Sequence, residues 1–185
     1  MTSQLKVDRI SPATGSEIII DGFGGGEGSI IQTVFFESED LLSATGAEGW
    51  PNYTVFPGFE ISITPKKSDS TLIVTFAGTY VHTQALASVM NILRTGLGVP
   101  DKFLHIPENI VTFPAIGTTS VGLGYLATTV GYDKPNTTQE VKYSITSTVS
   151  LGNGGSIAYL NKTQEYAGTG YSQSASRLIV QEVSA

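Results

Sequence analysis

The run TLIVTFAGTYVHT, residues 71–83, constrains the fold more than any other stretch of this chain. Side chains of a strand alternate between two faces. Leu72, Val74, Phe76 and Tyr80 therefore share one face, while Ile73, Ala77 and Val81 share the other. A strand that is apolar on both sides is covered on both sides, either inside a sandwich or at a subunit interface.

The same reading extends along the chain. Residues 59–64 alternate apolar and polar until Pro65 closes the run. Residues 30–36, 88–94, 102–106, 121–130, 140–149, 156–160 and 177–183 read as further strands. Helical spacing competes only at 84–93, where a strand reading stands beside it. About nine strands broken by Gly, Pro and Asn predict a mainly β, jelly-roll-like antiparallel β-sandwich. The segments 41–54, 131–138, 151–155 and 163–176 are rich in Gly, Ser, Thr, Asn and Tyr, and read as its connections.

Composition agrees with strands. Charged residues make up 14% of the 185 residues, against about 25% in an ordinary soluble domain. The chain has no cysteine, which excludes disulfides and thiolate metal sites. Its formal net charge is −6 and Lys66-Lys67 is its only basic pair, so nucleic acid is not an expected partner. No apolar run is long enough to insert in a membrane, and the N-terminus lacks the charged start and apolar stretch of a secretory signal. Both a cytoplasmic protein and one assembled in the cytoplasm and released by lysis fit that pattern.

Catalytic chemistry finds little support. The loop GFGGGEGS, residues 22–29, lacks the third glycine of a dinucleotide fingerprint and the Lys-Ser or Lys-Thr of a P-loop. Strand-like residues follow it, so no helix N-terminus is there to receive a phosphate; the loop reads as a flexible joint. His82 and His105 are 23 positions apart, outside any metal-ligand spacing. No G-x-S-x-G occurs. Glu37, Glu39 and Asp40 offer carboxylates for glycoside hydrolysis, but such a cluster at a strand end is more often a solvated turn. Asp133 stands beside Gly131 and Pro135, where Asp favours turns. No enzyme activity, cofactor or metal is expected.

Ahead of the joint, Leu5 and Val7 and then Ile18 and Ile20 form two small apolar patches around Pro12 and Gly15. They are too few to make a core. The chain therefore divides into an arm with a Gly-rich joint, residues 1–28, and a β-sandwich head, residues 29–185. No internal repeat provides a fibre shaft, which favours a compact knob.

The segment SQLKVDRISPATG, residues 3–15, followed by EIIIDG, residues 17–22, resembles a segment of tail-fibre and other virion structural proteins of tailed bacteriophages, cyanophages among them. In that group an L-K-V-(D/N)-x-I-x-P-A-T-G core precedes a few alternating apolar residues; Arg9 and Glu17 stand where smaller polar residues are common. The head resembles the same group more loosely, through Ile63-Thr64-Pro65, through Ser70 with Leu72-Ile73-Val74, and through a closing Leu178 and Glu182. The resemblance implies a homotrimer whose arm, through Leu5, Val7, Ile10, Ile18 and Ile20, packs with its copies or docks on capsid or tail. It implies a place in the virion after synthesis in the bacterial cytoplasm, either as a short fibre or as a capsid decoration. Trp50, Tyr53, Tyr132, Tyr166 and Tyr171 lie in small-residue-rich segments, the composition of adaptable binding loops, and are the candidates for contact with a host receptor or surface glycan.

Overall fold

The computed structural model describes residues 18–21, 27–45, 47–48, 52–82, 85–104, 125–152, 157–162 and 174–185. The regular structure among them is strand: β1 (Ile18–Asp21), β2 (Ile30–Ser38), β3 (Leu42–Thr45), β4 (Ala47–Glu48), β5 (Thr54–Ile63) and β6 (Thr71–His82). Then follow β7 (Ala85–Gly96), β8 (Lys102–Phe103), β9 (Tyr125–Asp133), β10 (Val141–Gly152), β11 (Ile157–Leu160) and β12 (Ser176–Val183).

Two sheets result. In the larger, β2, β12, β6 and β9 lie side by side, with β1 added outside β2. In the smaller, the order is β5, β10, β7, β8. Short strands fill the remaining edges: β11 follows β12 along the same edge of β6 and carries β3, while β4 lies parallel to β10 beyond β5.

The pairing pattern identifies the fold. With β1, β3, β4 and β11 set aside, the first strand pairs with the last (β2 with β12), the second with the seventh (β5 with β10), the third with the sixth (β6 with β9) and the fourth with the fifth (β7 with β8). A long hairpin folded over on itself gives this nested order, and it is the wiring of a jelly roll. The expected mainly β, jelly-roll-like sandwich is thus observed.

Between the sheets lie the inward residues. Leu72, Val74, Phe76 and Tyr80 of β6 are fully buried with Leu178 and Val180 of β12, facing Ile92 of β7 and Ile145 of β10. The Phe59 ring meets Phe36 at 5.3 Å and Phe76 at 5.8 Å, both edge to face. Such pairs add about 1 kcal/mol each beyond the area they bury.

A local irregularity brings two of these aromatics into the core. Phe56 and Phe59 are three apart, so a regular strand would point them to opposite faces. The pairing of β5 with β10 jumps at Pro57-Gly58, where Gly58 takes φ 74°, and both rings end fully buried. The bulge reverses the side-chain alternation, and the positive φ is why glycine stands at its turn.

The structure differs from the strand expectations in a few places. Residues 84–93 fall in β7 and its approach, so the strand reading prevails over the helical one, because both edges of β7 find partners in β10 and β8. The segment 41–54, expected to be a connection, contains β3 and β4. Ile18 to Asp21, expected in the arm, pair with β2 from Phe35 to Gln32 and extend the head's larger sheet.

Candidate functional site

The outer face of the larger sheet is open and apolar. Along β9, exposure alternates residue by residue: Ala127, Thr129, Gly131 and Asp133 point inward, and Leu126, Thr128, Val130 and Tyr132 point outward. Leu126 is 83% exposed, Tyr132 66% and Val130 40%. Strand register continues this face across the sheet. Val130 lies beside Thr75 of β6, then Ile179 of β12, then Phe35 of β2. The adjacent row runs Tyr132, Ile73, Gln181, Thr33. Ile73, Ile179 and Phe35 are half-buried, whereas the outward residues of β9, at the edge of the sheet, are exposed. On the outward positions of β2, β12, β6 and β9 the only charges are Glu37 and Arg177, and these pair with each other.

The other sheet has a different outer surface. Asn91, Leu93, Ser144, Thr146 and Thr148 point away from the core, yet all are buried. Tyr53, just ahead of β5, and Phe103 on β8 belong to opposite edges of that sheet, and their rings meet edge to face at 5.0 Å. Among the described residues, the outward positions of the smaller sheet are thus buried, whereas those of β9 are exposed and most of those on β6, β12 and β2 are partly so.

Two buried carboxylates fasten the end of the sandwich where β9 finishes. Asp133 accepts from Arg94 Nη1 at 2.9 Å on each oxygen, from Lys102 Nζ at 3.1 Å and from the Tyr143 hydroxyl at 2.9 Å. Arg94 Nη2 also donates to the Pro100 carbonyl at 2.9 Å. One side chain of the larger sheet thereby holds β7, β8 and β10 of the smaller. Burial, followed by the charge and hydrogen bond of Asp133, pushes the Tyr143 hydroxyl far above the usual phenol range.

Glu182, fully buried on β12, is the second. It accepts from the consecutive backbone N–H groups of Lys66 (2.9 and 3.0 Å) and Lys67 (3.1 Å), from the Ser70 hydroxyl (2.5 Å) and from Gln32 Nε2 (2.5 Å). Burial alone would raise its pKa, but these donors outweigh it and hold the carboxyl below its ordinary value. The consecutive N–H groups form an anion-binding nest that Glu182 fills. Both carboxylates are taken up by these donors, while Arg94 Nε is buried without a hydrogen-bond partner.

The expected contact residues are distributed unevenly. Tyr132 lies on the open face and Tyr53 on the covered flank. Ile18 and Ile20 belong to β1. Leu5, Val7, Ile10, Trp50, Tyr166 and Tyr171 fall outside the described residues, as does His105. Glu37 is taken up by Arg177, and Glu39 and Asp40 are solvent-exposed. Asp133, expected in a turn, is a buried ion-pair partner, because the chain bends only after it at Pro135. No group of three or more His, Asp or Glu able to hold a metal occurs among the described residues.

Sequence reasoning missed Leu126, Val130 and the Arg94–Asp133 pair. The signal for the pair was present: Arg94 is the only charge in the apolar stretch 85–96, at a position that points inward and so demands a counter-charge.

In comparisons with known proteins, no family model and no curated protein matches the chain. Among solved structures, the infectious bursal disease virus VP2 subviral particle aligns with a TM-score of 0.34 and 11% identity, over 90% of this chain and 42% of that one. The structure of the Gx strain of infectious bursal disease virus aligns with a TM-score of 0.29 and 12% identity, over 96% of this chain and 45% of that one. The chain thus spans less than half the length of either. The fold assignment rests on the strand pairing itself.

Proposed function

We propose that this protein is a structural component of a virus particle, a short homotrimeric knob on the capsid or tail of a tailed bacteriophage. In this reading the segment ahead of β1 is the arm that attaches to the particle, and the jelly-roll head, with β1 on its larger sheet, projects from it. The single observation that carries the proposal is the asymmetry of the head. A sandwich whose described residues bury the outer face of one sheet, and leave apolar side chains exposed on a nearly charge-free outer face of the other, favours association. The phage-like segment at residues 3–22 supplies the setting, and jelly rolls recur in viral shells. Contact with a host surface glycan through Tyr132 is the second reading, favoured by the exposure of that ring.

Light-scattering mass tests the proposal. The full chain is expected at three times 19.5 kDa. A version lacking residues 1–16, which keeps β1 on its sheet, then separates the arm's share in association from the head's. A monomeric full chain at micromolar concentration overturns the trimeric knob.

A further inference from the structure

We infer that β1 is a strap that detaches from the head while its root, at Gly28-Ser29, stays fastened. Docked, the strap sends the segment ahead of it out partway along the edge of the larger sheet. Released, it sends that segment out from the end of the sandwich where the chain finishes. Three observations lead there.

The strap is lightly held. β1 has four residues, and among the described strands only β2 pairs with it. Eight residues separate the two, and five of them are glycine. Tight hairpins use connections of about two to five residues, so no short turn pins β1 in register. Each glycine also adds conformational freedom that docking must take away. A short edge strand that closes a glycine-rich loop belongs to the low-stability end of a domain, where local opening precedes global unfolding.

The root is firmly held. The Gly28 N–H donates to the Ser184 carbonyl at 2.8 Å, and the Ser184 N–H to the Ser29 carbonyl at 2.9 Å. Gln32, just inside β2, donates through Nε2 to the Thr64 carbonyl at 2.8 Å and to Glu182 at 2.5 Å. The last residues of the chain and the Glu182 cluster thus clamp the backbone immediately after the glycines.

β2 keeps its place without β1. It is paired with β12 from Ser38 to Ile30, and its inward Val34 and Phe36 pack in the core. Ile18 lies beside Phe35, while the root lies at Ser29. At about 3.4 Å per residue of β2, release moves the exit of the arm by roughly 20 Å. For a head attached through that arm, the two exits are two stances on the particle.

Hydrogen exchange of the full chain, resolved to single amides, tests the strap. The β1 amides bonded to β2 are expected to exchange about a hundredfold faster than those of the β2–β12 ladder, while the Gly28 and Ser184 amides stay as slow as that ladder. The absence of cysteine allows a lock. Ile20→Cys with Thr33→Cys places thiols on register partners of adjacent strands, within disulfide reach. Oxidation is expected to slow the β1 amides about tenfold or more, and reduction to restore them. Slow β1 amides in the unmodified chain make β1 a permanent strand and overturn the strap. Gly28 and Ser184 amides as fast as those of β1 mean that the whole edge opens, which overturns the fastened root. A pair that does not oxidise places β1 elsewhere and overturns both. No virus particle enters these measurements, so a failure of the virion reading leaves their outcome standing.

Discussion

The Ser70 hydroxyl donates to Glu182 Oε1 at 2.5 Å, joining the start of β6 to the end of β12 across 112 residues of chain. With the Lys66 and Lys67 N–H groups on the same carboxylate, this bond pins the β5–β6 turn to the final strand. Thr64, whose carbonyl accepts from Gln32 Nε2, Ser70 and the closing Glu182 are thus parts of one fastening.

Glu182→Gln should destabilise the head by about 2–3 kcal/mol, since it weakens several buried hydrogen bonds at once, and Glu182→Ala by about 3–5 kcal/mol, since it leaves the donors unpaired. The folded carboxyl lies below its ordinary pKa of 4.5. Its contribution is therefore fully present above that value and is lost as pH falls through the folded pKa. Urea melts between pH 3 and pH 7 should show the acid-side loss in the native protein and a flatter profile in Glu182→Gln.

Arg94→Ala or Asp133→Asn alone should cost about 3–5 kcal/mol, because each strands a buried partner. Replacing the pair together, as Arg94→Met with Asp133→Leu, should cost clearly less than the sum. A double-mutant cycle by chemical denaturation checks this. A sum that adds without coupling contradicts the pairing.

Tyr143 should remain protonated in the folded protein well past the ordinary phenol range. Its raised pKa means that the stabilisation is intact below about pH 10, the unfolded value, and declines as pH rises beyond it. Ultraviolet titration should show the Tyr143 step only on unfolding, and Tyr143→Phe should remove it.

Gly78 of β6 lies against Ser176 of β12. A Cβ at position 78 would stand 2.0 Å from Ser176 Oγ and 2.6 Å from Ser176 Cβ. Gly78→Ala is expected to cost about 1–3 kcal/mol, and adding Ser176→Gly should recover much of it. Ser176 Oγ is buried without a partner, so Ser176→Ala alone should be neutral or slightly stabilising in thermal melts.

Asn161 follows β11 with φ 65°, and its Nδ2 donates to the carbonyls of Ser38 and Asp40, each at 2.8 Å. Asn161→Ala loses both bonds and keeps the strained backbone, for about 2–4 kcal/mol; Asn161→Gly relieves the strain and should fall by less. Thermal melts that reverse this order would contradict the left-handed assignment.

Much of the architecture is legible in local pattern. The two-faced run at 71–83 announces a central strand, and β6 is indeed paired along both edges. Low charge and frequent turn residues announce a sandwich. Alternation is a property of neighbours in sequence, so reading it requires no knowledge of partners. Alternation predicts a strand at 121–130, but residues 131–133, which read as a connection, belong to β9 as well, and the pattern does not tell that the outward residues of β9 are exposed.

What the tertiary structure decided is everything set by partners distant in sequence. The nested pairing of first strand with last, the meeting of Asp133 with Arg94 and the convergence of Gln32, Ser70 and Glu182 join residues tens to more than a hundred positions apart. Asp-Lys-Pro reads as a turn because local chemistry favours one, yet the carboxylate ends buried because the opposing sheet brings it an arginine, a lysine and a tyrosine. The sequence by itself determined which faces of each strand are apolar. Only the fold determined which of those faces the chain covers with itself, because coverage depends on which strands are brought together, and that choice is made by long-range packing.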